Sequence, residues 1–131
     1  MSAKSKNLRT PLALVRGLGS AKDGSHHWWV QRVTAVALIP LTLWFVASIA
    51  AMTGADYETV RAWIANPVVA VLLLLTIVAT FYHLKLGIQV VLEDYVHHMG
   101  LRVASQLAVT FACFAVGAAA AFAVLKIAFQ G

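Results

Sequence analysis

The sequence predicts an all-α membrane protein with three transmembrane helices and a cytoplasmic N-terminus. Three observations predict it. Of 131 residues, 61% are hydrophobic and only 11% are charged, where a soluble domain carries roughly 25% charge. The apolar residues gather into three runs, each long enough to cross about 30 Å of hydrocarbon at about 1.5 Å per residue. The basic residues concentrate ahead of the first run, a bias that sets orientation in a bilayer. The chain is read as a single membrane-anchor domain, residues 1–131, with an arm at 1–32 and helices at about 33–53, 67–92 and 103–129.

The arm carries Lys4, Lys6, Arg9, Arg16, Lys22 and Arg32 against one acid, Asp23. An acid-poor, Arg- and Ser-bearing start is also the composition of an organelle transit peptide. The arm reading is preferred because a motif used below begins at Ser25. A secretory signal is excluded, since the first apolar run exceeds a signal core of about 7–15 residues. The net charge of +5 would suit nucleic acid, but its placement before a membrane span favours topology, so no nucleic-acid partner is expected.

The first run is uncharged and holds Pro40, which removes one backbone bond and is expected to bend the helix. Residues 54–66 form a short polar link with Asp56, Glu58 and Arg61, and Tyr57 and Trp63 suit an interfacial belt. Pro67 opens the second helix, where its missing N–H costs nothing. Residues 93–102 are the second link. In the third helix Ala104, Ala108 and Ala112 repeat every four residues, as do Gly117 and Ala121; small residues so spaced let helices approach closely in lipid. Lys126 can snorkel to the interface. The first link holds one basic residue and the C-terminus one, so both are placed opposite the N-terminus and the second link. Cys113 is alone, which excludes an intrachain disulfide. No Gly-rich phosphate loop, Cys-x-x-Cys pair or His-Glu-x-x-His is present.

The chemistry concentrates in Tyr82-His83-Leu84-Lys85-Leu86-Gly87-Ile88-Gln89. His83 lies about ten residues before Glu93, roughly 15 Å deep. A histidine there is costly and is a functional hypothesis by default. Two readings stand on position alone: a hydrogen bond to a neighbouring helix, or an axial heme ligand through a neutral imidazole nitrogen. Gly87 is one turn on, on the same face, and leaves room for a flat macrocycle or a second helix. Asp94 returns to within about 20° of that face. Because His83 is the only deep histidine, a six-coordinate heme needs its other ligand from a second chain. Lys85, about 200° from His83, is either a snorkelling side chain or a charge partner for a heme propionate or a partner chain.

His83-x-x-x-Gly87 followed by Asp94-Tyr95 resembles the small cytochrome b anchor subunit of succinate dehydrogenase. Gln89-Val90-Val91-Leu92-Glu93-Asp94-Tyr95-Val96-His97 resembles its alphaproteobacterial and mitochondrial branch. The arm's His26-His27-Trp28-Trp29-Val30-Gln31-Arg32-Val33-Thr34-Ala35 is similar to the family's entry to the first helix. The resemblance covers about residues 25–129; Lys85 stands where that pattern has an uncharged residue. It implies that His83 ligates heme b, that Tyr95 hydrogen-bonds ubiquinone, and that His26 and Arg32 lie near the heme propionates and quinone pocket. Asp94 can orient the surroundings of Tyr95 or pair with Arg32 or Arg102. His97 and His98 are interfacial polar residues or proton donors to a reduced quinone, Tyr95 by itself would also pass for an interfacial anchor, and Trp28 and Trp29 for an aromatic belt.

The resemblance further implies a multi-pass subunit of the bacterial inner membrane, in preference to the mitochondrial one. Its expected partners are the lipid bilayer, a second cytochrome b-type membrane anchor subunit, an iron–sulfur subunit and a flavoprotein subunit. Heme b would be shared with the second anchor, and ubiquinone would be the substrate. The chain itself would perform no succinate chemistry. The alternatives are the anchor of a quinol:fumarate reductase, and a heme-free structural, assembly or transporter subunit.

Overall fold

The computed structural model describes residues 21–130, with side chains from residue 25 onward. Four helices follow in order: α1 Ala21–Ala51, α2 Tyr57–Ala65, α3 Pro67–Tyr95 and α4 Met99–Gln130. By packing, the chain divides into Met1–Val33 and Thr34–Gly131.

Three stretches are long and apolar enough to cross a membrane: Ser25–Ala51, Pro67–Tyr95 and Met99–Gln130. At about 1.5 Å per residue each exceeds the hydrocarbon thickness of about 30 Å, so each emerges by a turn or more or tilts. Only Ala70, Leu73 and Leu86 are buried among the described residues, while Leu43, Phe114 and Phe129 are among many large apolar side chains left exposed. Water would not tolerate that much apolar surface. Lipid does, because the helices satisfy their own backbone groups.

The boundaries differ from the hydropathy reading in three places. The first helix is already present at Ala21, ahead of the apolar run. Residues 93–102 are not one link: α3 continues to Tyr95, α4 begins at Met99, and three residues join them. Hydropathy marks where lipid contact ends, whereas a helix continues into polar surroundings while its backbone bonds are made. The first link also contains a helix, α2. Its N-cap is Asp56, whose Oδ1 accepts from Thr59 N at 2.9 Å, satisfying an otherwise orphaned donor.

Asn66 joins α2 to α3. It ends the first helix and caps the second, its Oδ1 accepting from Val68 N at 2.9 Å and Val69 N at 3.4 Å, with Pro67 beside it. Ahead of α2, Gly54 at φ +85° makes the turn after α1, a conformation a Cβ disfavours. The Trp63 indole of α2 stacks on Trp44 of α1, centroids 5.8 Å apart, so of the two expected belt residues Trp63 makes a packing contact; Tyr57 remains exposed.

α4 packs along α3, and α2 touches both. Of the two small-residue repeats in α4, only one lies in this interface. Gly117 meets the ring of Phe81, and Ala121 is half-buried. Ala104, Ala108 and Ala112 are all exposed, so the expected close approach on that stripe is not made among the described residues.

Candidate functional site

His83 lies in the C-terminal half of α3 and is half-buried. Its Nδ1 is 3.0 Å from Thr34 Oγ1 of α1. The bond ties two spans together and occupies one of the two ring nitrogens. No hydrogen bond among the described residues occupies the other. Leu86, about one turn away, is 3% exposed. Gly87 is half-buried.

Around the helix, Lys85 is half-buried and its Nζ sits 5.8 Å from the centroid of the Tyr82 ring, an attractive contact for a cation. Lys85 and Thr110 line a groove of about 400 Å³ between α3 and α4 that is otherwise apolar, with Phe81, Phe114 and Gly117 among its walls. On the other side of the same two residues lie Gln89 and Gln106. The ammonium therefore lies where the groove turns polar. Gln89 donates from Nε2 to Glu93 at 3.1 Å along the helix.

At the end of α3, Tyr95 is the last helical residue and 78% exposed. Asp94 is also exposed and makes no ion pair with Arg102. His97 is exposed. His98 has a structural task that its position alone did not reveal: its Nδ1 accepts from Leu101 N at 3.2 Å and its carbonyl from Arg102 N at 2.9 Å, opening α4.

Within the first packing unit, Arg32 is exposed, with its guanidinium carbon 5.5 Å from the centroid of the Trp28 ring. Trp28 stacks on Trp29 at 5.7 Å, and both are exposed, as an interfacial pair would be. His26 is exposed. His27 was given no role by sequence, yet its Nε2 is buried without a hydrogen-bond partner among the described residues.

The donor set suits a heme ligand better than a metal cage. No three His, Cys, Asp or Glu side chains converge among the described residues. A b-type heme needs from one chain only one imidazole nitrogen, with the ring held by a hydrogen bond at the other. His83 and Thr34 have that arrangement. Thr34 is the residue sequence reasoning missed; it stood in the arm motif without an assigned role.

Comparison with known proteins gives the family. Residues 6–125 match the family model described as succinate dehydrogenase/fumarate reductase transmembrane subunit. The chain is similar to the succinate dehydrogenase hydrophobic membrane anchor subunit of Rickettsia bellii, with 35% identity over 96 residues, covering 73% of this chain and 77% of that one. It is similar to the subunit of the same name from Paracoccus denitrificans, with 32% identity over 117 residues, covering 89% and 90%. The succinate dehydrogenase membrane anchor subunit of Reclinomonas americana is 31% identical over 87 residues, covering 64% and 72%. With its three spans and a match over most of its length, this chain belongs to the succinate dehydrogenase/fumarate reductase transmembrane subunit family.

Proposed function

We propose that this membrane anchor of succinate dehydrogenase holds one side of a shared heme b through His83 and receives the ubiquinone head group at Tyr95. The observation that carries the reading is the Thr34–His83 contact. It gives a costly intramembrane histidine one structural bond and leaves a ring nitrogen for a ligand. A heme held there would take its other protein ligand from a second anchor subunit, since no other histidine of this chain lies deep in a span. A heme b bound there supplies a one-electron carrier between the iron–sulfur subunit and quinone.

The chain's own residues bind and orient. Gly87, Val90 and Asp94 continue the face of His83 along α3. Tyr95, about 18 Å further along the axis, offers a phenol donor at the membrane surface. Arg32 supplies positive charge, and His26 a ring nitrogen, suited to heme propionates or the quinone entrance, where an unpaired carboxylate would be costly. Asp94 orients the surroundings of Tyr95. The iron–sulfur and flavoprotein subunits dock on the basic side of the bacterial inner membrane, which we take to be cytoplasmic. The family description also names fumarate reductase, so the anchor of a quinol-oxidising enzyme is the second reading.

Purification of the complex from native membranes, with subunit identification and a reduced-minus-oxidised spectrum, tests the reading. His83→Ala is expected to abolish or shift the low-spin b-type spectrum. An unchanged spectrum would falsify the assignment, and a complex without heme would favour a purely structural or transport subunit. Rates of quinone reduction by succinate and of quinol oxidation by fumarate separate the two enzymes.

A further inference from the structure

We infer that Thr34 is the positioning residue for His83: its hydroxyl oxygen accepts the Nδ1 proton, which fixes the imidazole tautomer with a bare Nε2. This deepens the proposed function and rests on His83 being a heme ligand.

The contact joins side chains 49 positions apart, Thr34 Oγ1 and His83 Nδ1 at 3.0 Å. A hydroxyl can donate or accept, and a neutral imidazole carries its proton on either nitrogen. The two directions have opposite consequences. If Thr34 donated, Nδ1 would be the bare nitrogen and Nε2 would carry the proton, leaving no lone pair for iron. If Thr34 accepts, Nε2 is bare and able to ligate.

A threonine of the neighbouring span shows a habit that favours the second direction. Thr76 gives its hydroxyl proton to Leu72 O, one turn back, at 2.7 Å. Thr53, in the turn just past α1, likewise gives its own to a backbone carbonyl three residues back, Ala50 O, at 2.8 Å. Back-bonding of this kind is the ordinary habit of threonine in a helix. A threonine whose proton goes to its own helix presents only lone pairs to a neighbour. Thr34 lies within α1, and by the same habit its oxygen faces Nδ1 as an acceptor.

The bond also acts on the ligand's electronics. An imidazole that donates its Nδ1 proton has a more basic Nε2, which favours ferric over ferrous iron. In a span the effect is enhanced, because the surroundings are of low dielectric and no water competes. Thr34 thus sets the ring's tautomer and orientation and lowers the heme potential. Because it reaches His83 from a different helix, it also makes the ligand's geometry depend on how α1 packs on α3.

The experiment compares Thr34→Val, which keeps the shape and loses the hydroxyl, with Thr34→Ser, which keeps the hydroxyl. Both are made in the whole complex in its membrane, beside wild type and His83→Ala. Heme content, the low-spin electron paramagnetic resonance signal and the heme midpoint potential are read, together with succinate oxidation by a soluble acceptor to report assembly. Thr34→Val is expected to assemble, to raise the midpoint potential, to shift the low-spin signal and to weaken heme retention about tenfold. Thr34→Ser is expected to restore all three. A Thr34→Val complex with wild-type potential, signal and heme content overturns this inference alone, provided His83→Ala removes the low-spin signal. If His83→Ala leaves that signal intact, the heme-ligand reading falls and this inference with it.

Discussion

Gly117 of α4 lies against the ring of Phe81 in α3, so near that a Cβ added to it would stand 3.4 Å from Phe81 Cδ2 and Cγ. That is ordinary van der Waals distance, so Gly117→Ala is expected to be tolerated. Gly117→Leu adds three further carbons where the ring already stands. Overpacking of this size costs about 1–3 kcal/mol, and two spans held mainly by close packing have little else to offset it. The thermal inactivation midpoint of the detergent-solubilised complex is expected to fall for Gly117→Leu and to stay near wild type for Gly117→Ala. Equal midpoints for all three would show that the contact contributes nothing.

The contrast between Gly117 and the alanines of the same helix shows what a sequence can tell about packing in lipid. Both repeats carry the small-residue spacing, yet only Gly117 meets a neighbouring helix of the chain, while Ala104, Ala108 and Ala112 are exposed. Spacing identifies faces capable of close approach but not which face finds a partner. The three spans were legible because lipid demands long uncharged runs. α2 was not, since nine residues between polar neighbours give too short a period to read. His98 looked like an interfacial side chain and is a helix cap, which depends on where α4 starts. Depth alone singled out His83, with a hydrogen bond to a neighbouring helix and heme ligation as its two readings; the hydrogen bond is present. Its partner was not legible, because Thr34 and His83 are 49 residues apart and nothing in either local pattern points to the other.

The cap of α2 gives an acid-dependent prediction outside the membrane spans. The Thr59 side chain, and after it the Thr59 backbone N–H, hold the Asp56 carboxyl below its ordinary value of 3.8. A carboxyl with a lowered folded pKa stabilises the fold in its ionised form. Its contribution is complete above the unfolded value and disappears as pH falls through the lower, folded one. Amide exchange at Thr59, corrected for the intrinsic pH dependence, is therefore expected to lose protection as pH drops below about 3.8. Asp56→Asn still caps but does not titrate, so its protection is expected to be flat across the same range. A wild-type profile as flat as that of Asp56→Asn would remove the titrating cap from the account.

Topology is testable with fusions. Six basic residues precede Val33, against one in the first link and one near the C-terminus, and three spans place the two termini on opposite sides. The basic bias predicts a cytoplasmic N-terminus, so a phosphatase that folds only outside the cytoplasm is expected to be active when fused after Gly131. When fused between Val96 and Met99 it is expected to be inactive. The reverse pattern would invert the chain, and with it the side proposed for docking of the iron–sulfur subunit.

Tyr95 carries the quinone half of the proposed function. It closes α3 with its side chain 78% exposed, only three residues before α4 begins, and about 18 Å along the helix from His83. At that level a lipid-soluble quinone can bring its head group to the surface while its tail stays in the bilayer, and can take protons from the adjoining water. An electron donor docked on the same face then meets it without crossing the membrane. The phenol is exposed on this chain, so the proposed quinone pocket would need its remaining walls from neighbouring subunits. In the proposed function the hydroxyl would donate to one quinone oxygen, and losing one neutral hydrogen bond costs about 0.5–1.5 kcal/mol, or roughly a two- to tenfold rise in the quinone KM. Tyr95→Phe is expected to impair quinone reduction below saturation while leaving assembly, heme content and succinate oxidation by a soluble acceptor near wild type. An interfacial anchor would behave differently, since phenylalanine also sits comfortably at a membrane surface and quinone turnover would be unchanged. Matching quinone reductase rates for wild type and Tyr95→Phe, measured below quinone saturation, would leave Tyr95 as an anchor and move the quinone site elsewhere.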